Sequence, residues 1–199
     1  MADDKRLSIL ICSLGKRAAL LRRLKVCLSS QVTNEVEVIS HIDDGKLSIG
    51  QKRNNLLNEA VGDYVSFIDD DDLVSDDYVS KILTAIKTEP DCCSLMGEIS
   101  HTINTVKMKR LRRRVQRVRT SQRVKHTFIH SLKYDHWFEK DGYYFRCPNH
   151  LNAIKRTIAK QIGFPHKDSG EDKSFSLGVY PLLKTEVKIK GVIYYYLAS

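Results

Sequence analysis

No run of apolar residues in this sequence approaches the roughly 18–20 that a membrane-spanning helix needs. The opening MADDKRLSIL lacks the basic-then-apolar plan of a secretory leader. The expected setting is therefore the cytoplasm, with no transmembrane segment. The five cysteines (Cys12, Cys27, Cys92, Cys93 and Cys147) are odd in number and include no CxxC pair. That argues against a disulfide framework or a zinc cage and favours reduced thiols. Glycine is sparse where a phosphate-cradling loop needs it. The loop after the first apolar run, CSLGKRAAL, has one. There is no Walker P-loop and no GxGxxG, which argues against an NTPase or a dinucleotide enzyme. The Gly-rich, Arg-containing loop of a sugar nucleotidyltransferase is missing too.

The most localised absence is of acid. Between Ile99 and Tyr134 stand eleven Lys or Arg and no Asp or Glu. Taking those eleven from the net charge of +9 leaves −2 for the rest. The basicity belongs to one segment, VKMKRLRRRVQRVRTSQRVKH (106–126). Elsewhere the chain is ordinary: 199 residues, 42% apolar, matching one globular domain with a sizeable core.

What is present is a rhythm. LSILICS (7–13) reads as a buried strand. Leu20, Leu21, Leu24, Cys27 and Leu28 recur at helical spacing, predicting a helix over about 16–30. VEVISHID (36–43) is a second strand, and Ser48 with Gln51 three residues on forms a capping box for a second helix. YVSFI is a third strand, Ser75 is a candidate N-cap for a third helix, and CCSLMGEIS is a fourth strand. Cys92 and Cys93 are neighbours in it, so they face opposite sides. Alternating strands and helices predict a parallel sheet covered by helices. Ligands of such sheets bind at the strands' carboxyl ends. Ser13, Asp43-Asp44 and Asp69 to Asp72 end three of these strands and are expected side by side.

Past Ser100 the rhythm breaks. Met108, Leu111, Val115 and Val118 fall at helical spacing, predicting a helix with one apolar stripe within the basic segment. FIHSLKYDHWFEKDGYYFRC suggests antiparallel strands, and Asn152 is a candidate cap for a helix running to Ile162 and ended by Gly163. GEDKSFSLG starts a loop or helix, and two late strands follow near Glu186–Lys190 and Ile193–Leu197.

The chemistry concentrates in Asp69-Asp70-Asp71-Asp72. Four adjacent carboxylates repel and raise one another's pKa, and a polar turn needs only one or two. Mg²⁺ or Mn²⁺ takes oxygen ligands and completes its shell with substrate phosphates. A solvated acidic turn is the plainer alternative. The ordered series SILICSLGKR, EVEVISHIDDG, GQKRNNLLNEAVGDYVSFIDDDDLVSDDY and GEDKSF resembles family 2 glycosyltransferases over most of the chain. The resemblance implies an α/β fold of GT-A type: a mainly parallel, Rossmann-like nucleotide half and a smaller mixed acceptor half. It implies one domain over 1–199, with residues 1–100 holding the nucleotide-sugar and 101–199 facing the acceptor.

The same resemblance implies roles. Asp43 and Ser13 would line the nucleoside pocket, and Arg53 would approach the nucleotide. Asp69-Asp70-Asp71 match the family's Asp-X-Asp motif, with Asp71 the main metal ligand, Asp69 near ribose or sugar, and Asp72 a third acid. Asp172, beside Glu171, matches the general base. A sugar hydroxyl is a poor nucleophile, so a carboxylate in hydrogen-bond reach must take its proton. Glu171 and Asp172 also fit helix-start acids favoured by the helix dipole. The implied reaction is a metal-dependent, inverting transfer from a nucleotide-sugar, UDP-sugar favoured, to an acceptor hydroxyl.

Trp137 is a candidate stacking platform for the acceptor, and a core role suits it equally. His150 is a candidate for diphosphate or acceptor contact, or a structural hydrogen-bonding group. The arginines of the basic segment, Arg112, Arg113 and Arg114 among them, suit an anionic acceptor or surface: modified DNA, an acidic glycan or a membrane. A solvated basic face is the neutral reading. The alternative function is a nucleic-acid-binding module on a catalytically degenerate glycosyltransferase fold.

Overall fold

The computed structural model describes residues 5–111 and 114–197, with side chains described outside 103–120. In chain order the elements are β1 (Leu7–Leu14), α1 (Ala18–Ser29), β2 (Val36–Asp43), α2 (Ile49–Glu59), β3 (Tyr64–Phe67), β4 (Leu73–Val74), α3 (Tyr78–Ile86), β5 (Cys92–Cys93), β6 (Leu95–Leu111), β7 (Arg114–His130), β8 (Phe138–Lys140), β9 (Tyr143–Arg146), β10 (Ile154–Lys155), α4 (Arg156–Ile162), α5 (Glu171–Val179), β11 (Glu186–Val187) and β12 (Tyr194–Leu197).

Two six-stranded sheets result. The first has the order β11-β5-β10-β3-β1-β2. β1 is its hub, parallel to β2 and to β3, which brings the carboxyl ends of all three together as the sequence predicts. β1 is buried on both faces. Leu7, Ile9 and Ile11 pack in one core cluster, and Leu10 and Cys12 in the other. Period-two alternation therefore feeds two cores, one on each side of the sheet. Cys92 and Cys93 divide between them in the same way. α1 buries Leu21, Leu24 and Leu28 along one stripe. The Ser48–Gln51 capping box forms in full at the start of α2.

The second sheet has the order β4-β12-β6-β7-β9-β8. Both sheets draw on both ends of the chain, since β4 joins the second while β10 and β11 return to the first. Its spine is an antiparallel ribbon, β6 against β7, paired from Leu95↔His130 to Leu111↔Arg114. This corrects the helix expected from Met108, Leu111, Val115 and Val118, because the backbone there is extended. Thr102, Ile103, Thr105, Val106, Thr120 and Val124 are β-branched residues that favour strands. The register is pinned at the base, where Gly97 faces Phe128. A Cβ on Gly97 would come within 2.2 Å of that ring, so only glycine admits it.

Three further expectations change. CCSLMGEIS is not one strand: Cys92–Cys93 joins the first sheet, and the ribbon starts at Leu95 in the second. Ser75 does not cap α3. Asp77 holds the N-cap position, and Ser75 Oγ donates to its carboxylate at 2.6 Å. Asn152 does not open a helix either. It is buried, its Nδ2 donates to the Cys93 carbonyl at 2.8 Å, and Lys155 holds the N-cap position of α4. Gly163 does end α4, at φ +61°. Among the described residues no helix is long and apolar enough to cross a membrane.

Candidate active site at the strand ends

The four aspartates after β3 meet four different environments. Asp69 Oδ1 accepts from Arg53 Nη2 at 3.0 Å, and about a third of its side chain (32%) stays exposed. Burial pushes its pKa up, but Arg53 and His150 together outweigh this and hold it well below the usual carboxylate range. Asp70 is buried. It accepts from Ser13 Oγ at 2.6 Å and pairs with Arg17 at 3.0 Å. Burial nevertheless raises its pKa. Asp71 pairs with the same Arg17, and its side chain is 32% exposed. Asp72 turns away from the cavity. It accepts from Tyr194 Oη at 2.7 Å and from the Leu197 amide at 2.9 Å, so it anchors β12. Burial and the charge of Asp69 push its pKa up to about 7.

Asp43 ends β2 and is tied down locally. It accepts from the Leu47 amide at 3.0 Å and from Lys52 Nζ at 2.9 Å, and these bonds lower its pKa to about 2. Arg53 is the hub. Besides Asp69, it donates from Nη1 to Glu171 Oε1 at 2.5 Å. The Phe67 and Phe164 rings stand 5.9 and 5.6 Å from its guanidinium carbon. One buried arginine on α2 thus joins the turn after β3 to the first residue of α5. Asp172, next along α5, is half-buried, and its Oδ1 accepts from the Lys173 amide at 2.7 Å.

Two cavities flank this hub. One, of about 500 Å³, is lined by Ser13, Arg17, Lys52, Asp70 and Asp71 among others. The second, of about 400 Å³, is lined by Trp137, Arg146, Asn149, His150 and Asp172 among others. Arg53, Asp69, Asp168, Glu171 and Tyr196 border both. The site residues read from the sequence therefore sort themselves. Ser13, Asp70 and Asp71 face the first cavity, Trp137, His150 and Asp172 the second, and Arg53, Asp69 and Glu171 form the wall between. Asp43 stands behind Lys52. Arg112 and Arg113 lie outside the described residues, and Arg114 pairs with Leu111 at the start of β7.

Reading the sequence missed Arg17, Lys52, Arg146, Asn149, Asp168 and Tyr196. Arg17 follows the end of β1 in the quoted GKR, and that position was its only signal.

Among the described residues no group of three or more His, Cys, Asp or Glu side chains converges as a metal cage. Mg²⁺ and Mn²⁺ need no such cage, since one or two carboxylates plus waters and substrate phosphates complete their shells. Asp69 and Asp71, partly exposed at the first cavity, supply hard oxygen donors of that kind. The residues therefore fit the ion, with Arg17 the competing cation on Asp71.

A mainly parallel sheet, in which only β10 runs against its neighbours, with an acidic turn at its carboxyl edge and a second mixed sheet beside it, is the GT-A architecture. The chain belongs to glycosyl transferase family 2, whose description matches residues 28–163. In solved structures it is similar to S. aureus TarS 1–349, with a TM-score of 0.64 and 16% identity over 96% of this chain and 60% of that one. The complex of that protein with UDP gives 0.63 and 17%, over 98% and 61%. Its complex with UDP-GlcNAc gives 0.54 and 15%, over 98% and 59%. At these identities the likeness is one of fold, and the chain spans about 60% of the length of these structures. No curated protein matches it.

Proposed function

We propose that this chain is a metal-dependent, inverting glycosyltransferase that moves a sugar from a nucleotide-sugar, a UDP-sugar by preference, to an acceptor hydroxyl. The observation that carries the reading is the shared wall: an acidic, cation-rich cavity and a second cavity holding Asp172 meet at Arg53, Asp69 and Glu171. A donor in the first and an acceptor in the second would meet at that wall. The UDP and UDP-GlcNAc complexes of the similar TarS structure support the choice of donor.

In this reading Ser13 and Asp43 serve the nucleoside end. Lys52 and Arg17 offer positive charge to the diphosphate. Asp71, with Asp69, would hold Mn²⁺ or Mg²⁺, which when bound supplies charge neutralisation to the departing diphosphate. Asp172 takes the proton of the acceptor hydroxyl. The acceptor oxygen bonds to the anomeric carbon as the bond from that carbon to the diphosphate oxygen breaks, and the diphosphate leaves with the electron pair. One in-line displacement inverts the anomeric carbon. Glu171 does not touch substrate in this scheme; through Arg53 it sets the start of α5 and so positions Asp172. The five free thiols suit a reducing, cytoplasmic setting.

The β6–β7 ribbon favours an anionic acceptor or docking surface, because ten Lys or Arg of the sequence fall within 106–126. Modified DNA, an acidic glycan and a membrane surface all present such charge. A two-stranded ribbon also fits a DNA major groove, which keeps a second reading: a nucleic-acid-binding module on a degenerate transferase fold. The deciding experiment is nucleotide release from a panel of UDP-, GDP- and dTDP-sugars with Mn²⁺, with and without duplex DNA. Metal-dependent release from one donor supports the enzyme. Salt-sensitive DNA binding with no release from any donor supports the binding module.

A further inference from the structure

The second cavity contains polar groups that the fold itself leaves unpartnered. Arg146, at the end of β9, holds its guanidinium carbon 4.4 Å from the centre of the Trp137 ring. Among the described residues no carboxylate lies within 4.0 Å of it. Arg53, the other arginine of this cavity, is fully engaged by Asp69 and Glu171. Burial lowers the pKa of Arg146, and the charge of Asp172 partly offsets this. Next to it, both ring nitrogens of His150 are buried without a protein partner, in a side chain 5% exposed. The separation of 3.9 Å between His150 Nε2 and Asp69 is too long for a hydrogen bond.

Buried polar atoms normally find partners, and an exception calls for a ligand or a function. The inventory states what kind of ligand. Arg146 offers a planar cationic fork suited to phosphate or carboxylate. His150 offers an imidazole, which as a neutral ring carries one donor and one acceptor, a match for a hydroxyl. Trp137 is held in place by its Nε1 donating to Ser176 Oγ at 3.2 Å, so its ring is a fixed wall. A neutral sugar in this cavity would strip water from Arg146 and return no charge to it.

We propose that Arg146, on its Trp137 platform and with Asn149 and His150 beside it, is a subsite for an acidic group carried by the acceptor unit itself. The acceptor class is then a sugar bearing a phosphate or carboxylate near the hydroxyl that Asp172 deprotonates. This rests on the transferase reading for the identity of the cavity's ligand as an acceptor. It is independent of the basic ribbon, none of whose described basic residues lines this cavity. The competing role for Arg146 is that of a counter-ion to Asp172, which predicts no preference between acidic and neutral ligands.

The test is calorimetric binding to the full chain with Mn²⁺ and saturating UDP, which closes the first cavity to phosphates. The probes are matched: N-acetylglucosamine against its 6-phosphate, and glucose against glucuronic acid. The phosphate pair and the carboxylate pair tell the two acidic groups apart. At least one acidic member should bind about tenfold or more tightly than its neutral partner, as a charge-assisted contact implies. Arg146→Met should erase that gap, and Arg146→Lys should keep part of it, with near-UV circular dichroism confirming the fold of each. Equal binding of acidic and neutral probes by the wild type, or a gap that survives Arg146→Met, overturns the subsite. A gap without nucleotide release from any donor retains the subsite and removes the transferase. Release onto neutral acceptors with no gap does the reverse.

Discussion

Arg53 and Glu171, 118 positions apart in sequence, meet through a 2.5 Å hydrogen bond between two buried side chains. The second arm of the same guanidinium holds Asp69. A single arginine therefore fixes the acidic turn after β3 relative to the helix that carries Asp172. The distance between those two elements depends on it.

Replacing Arg53 should be costly. Arg53→Met leaves Glu171 buried and Asp69 half-buried without their cation, a loss on the order of 3 kcal/mol for breaking a buried ion pair. Arg53→Lys should recover only part, because an ammonium lacks the two-armed fork. Urea unfolding of the three proteins measures this. A loss below about 0.5 kcal/mol, the size of an ordinary surface change, would show that the bridge does not tie the turn to α5.

Asp72 should make stability fall with rising pH. Its folded pKa, about 7, lies above its ordinary value of 3.8, so the folded state holds a proton there that the unfolded chain has released. Its contribution is complete below about pH 3.8 and lost as pH rises through 7. His130 acts in the opposite sense: burial lowers its pKa to about 3, so acid favours the unfolded chain. Thermal melts of Asp72→Asn and wild type across pH 5 to 8 isolate the first effect. The variant should gain on the wild type toward pH 8. A constant difference would show that Asp72 titrates normally.

Arg17 should compete with metal. It pairs with both Asp70 and Asp71, so its removal frees the partly exposed Asp71 carboxylate. Arg17→Met should bind Mn²⁺ more tightly than wild type in the absence of nucleotide, read by the loss of the free-ion signal in electron paramagnetic resonance. In the wild type, chelation with EDTA should abolish nucleotide release and added Mn²⁺ should restore it. Unchanged Mn²⁺ affinity in the variant would place the ion elsewhere.

The first hundred residues were largely legible in the sequence, because their local signals agree with one another. β1, β2 and β3 are short apolar runs ended by polar residues, and Ser48–Gln51 announces α2 by a purely local rule. The ribbon was not. Its apolar residues fall at helical spacing, and the decision between helix and strand rests on long-range pairing such as Gly97 against Phe128. Residue identity located the acidic turn and Glu171-Asp172 but not how they connect. That Asp72 faces Tyr194 while Asp71 faces Arg17 depends on a strand that arrives 122 residues later. Arg146 carries no local signature at all, and only the packing of β9 against Trp137 and α5 gives it a cavity to face.

The most direct measurement compares nucleotide release by wild type and Asp172→Asn from UDP-GlcNAc with Mn²⁺, with UDP binding determined on the same samples. Among the described residues the Asp172 side chain accepts only from the neighbouring Lys173 amide, so the substitution is expected to leave the fold and the first cavity intact. The account predicts UDP binding within about twofold of wild type and release lower by about 10²–10⁴, the usual contribution of a general base. Equal release by the two proteins, with binding intact in both, would contradict the role of Asp172 and with it the mechanism built on the shared wall.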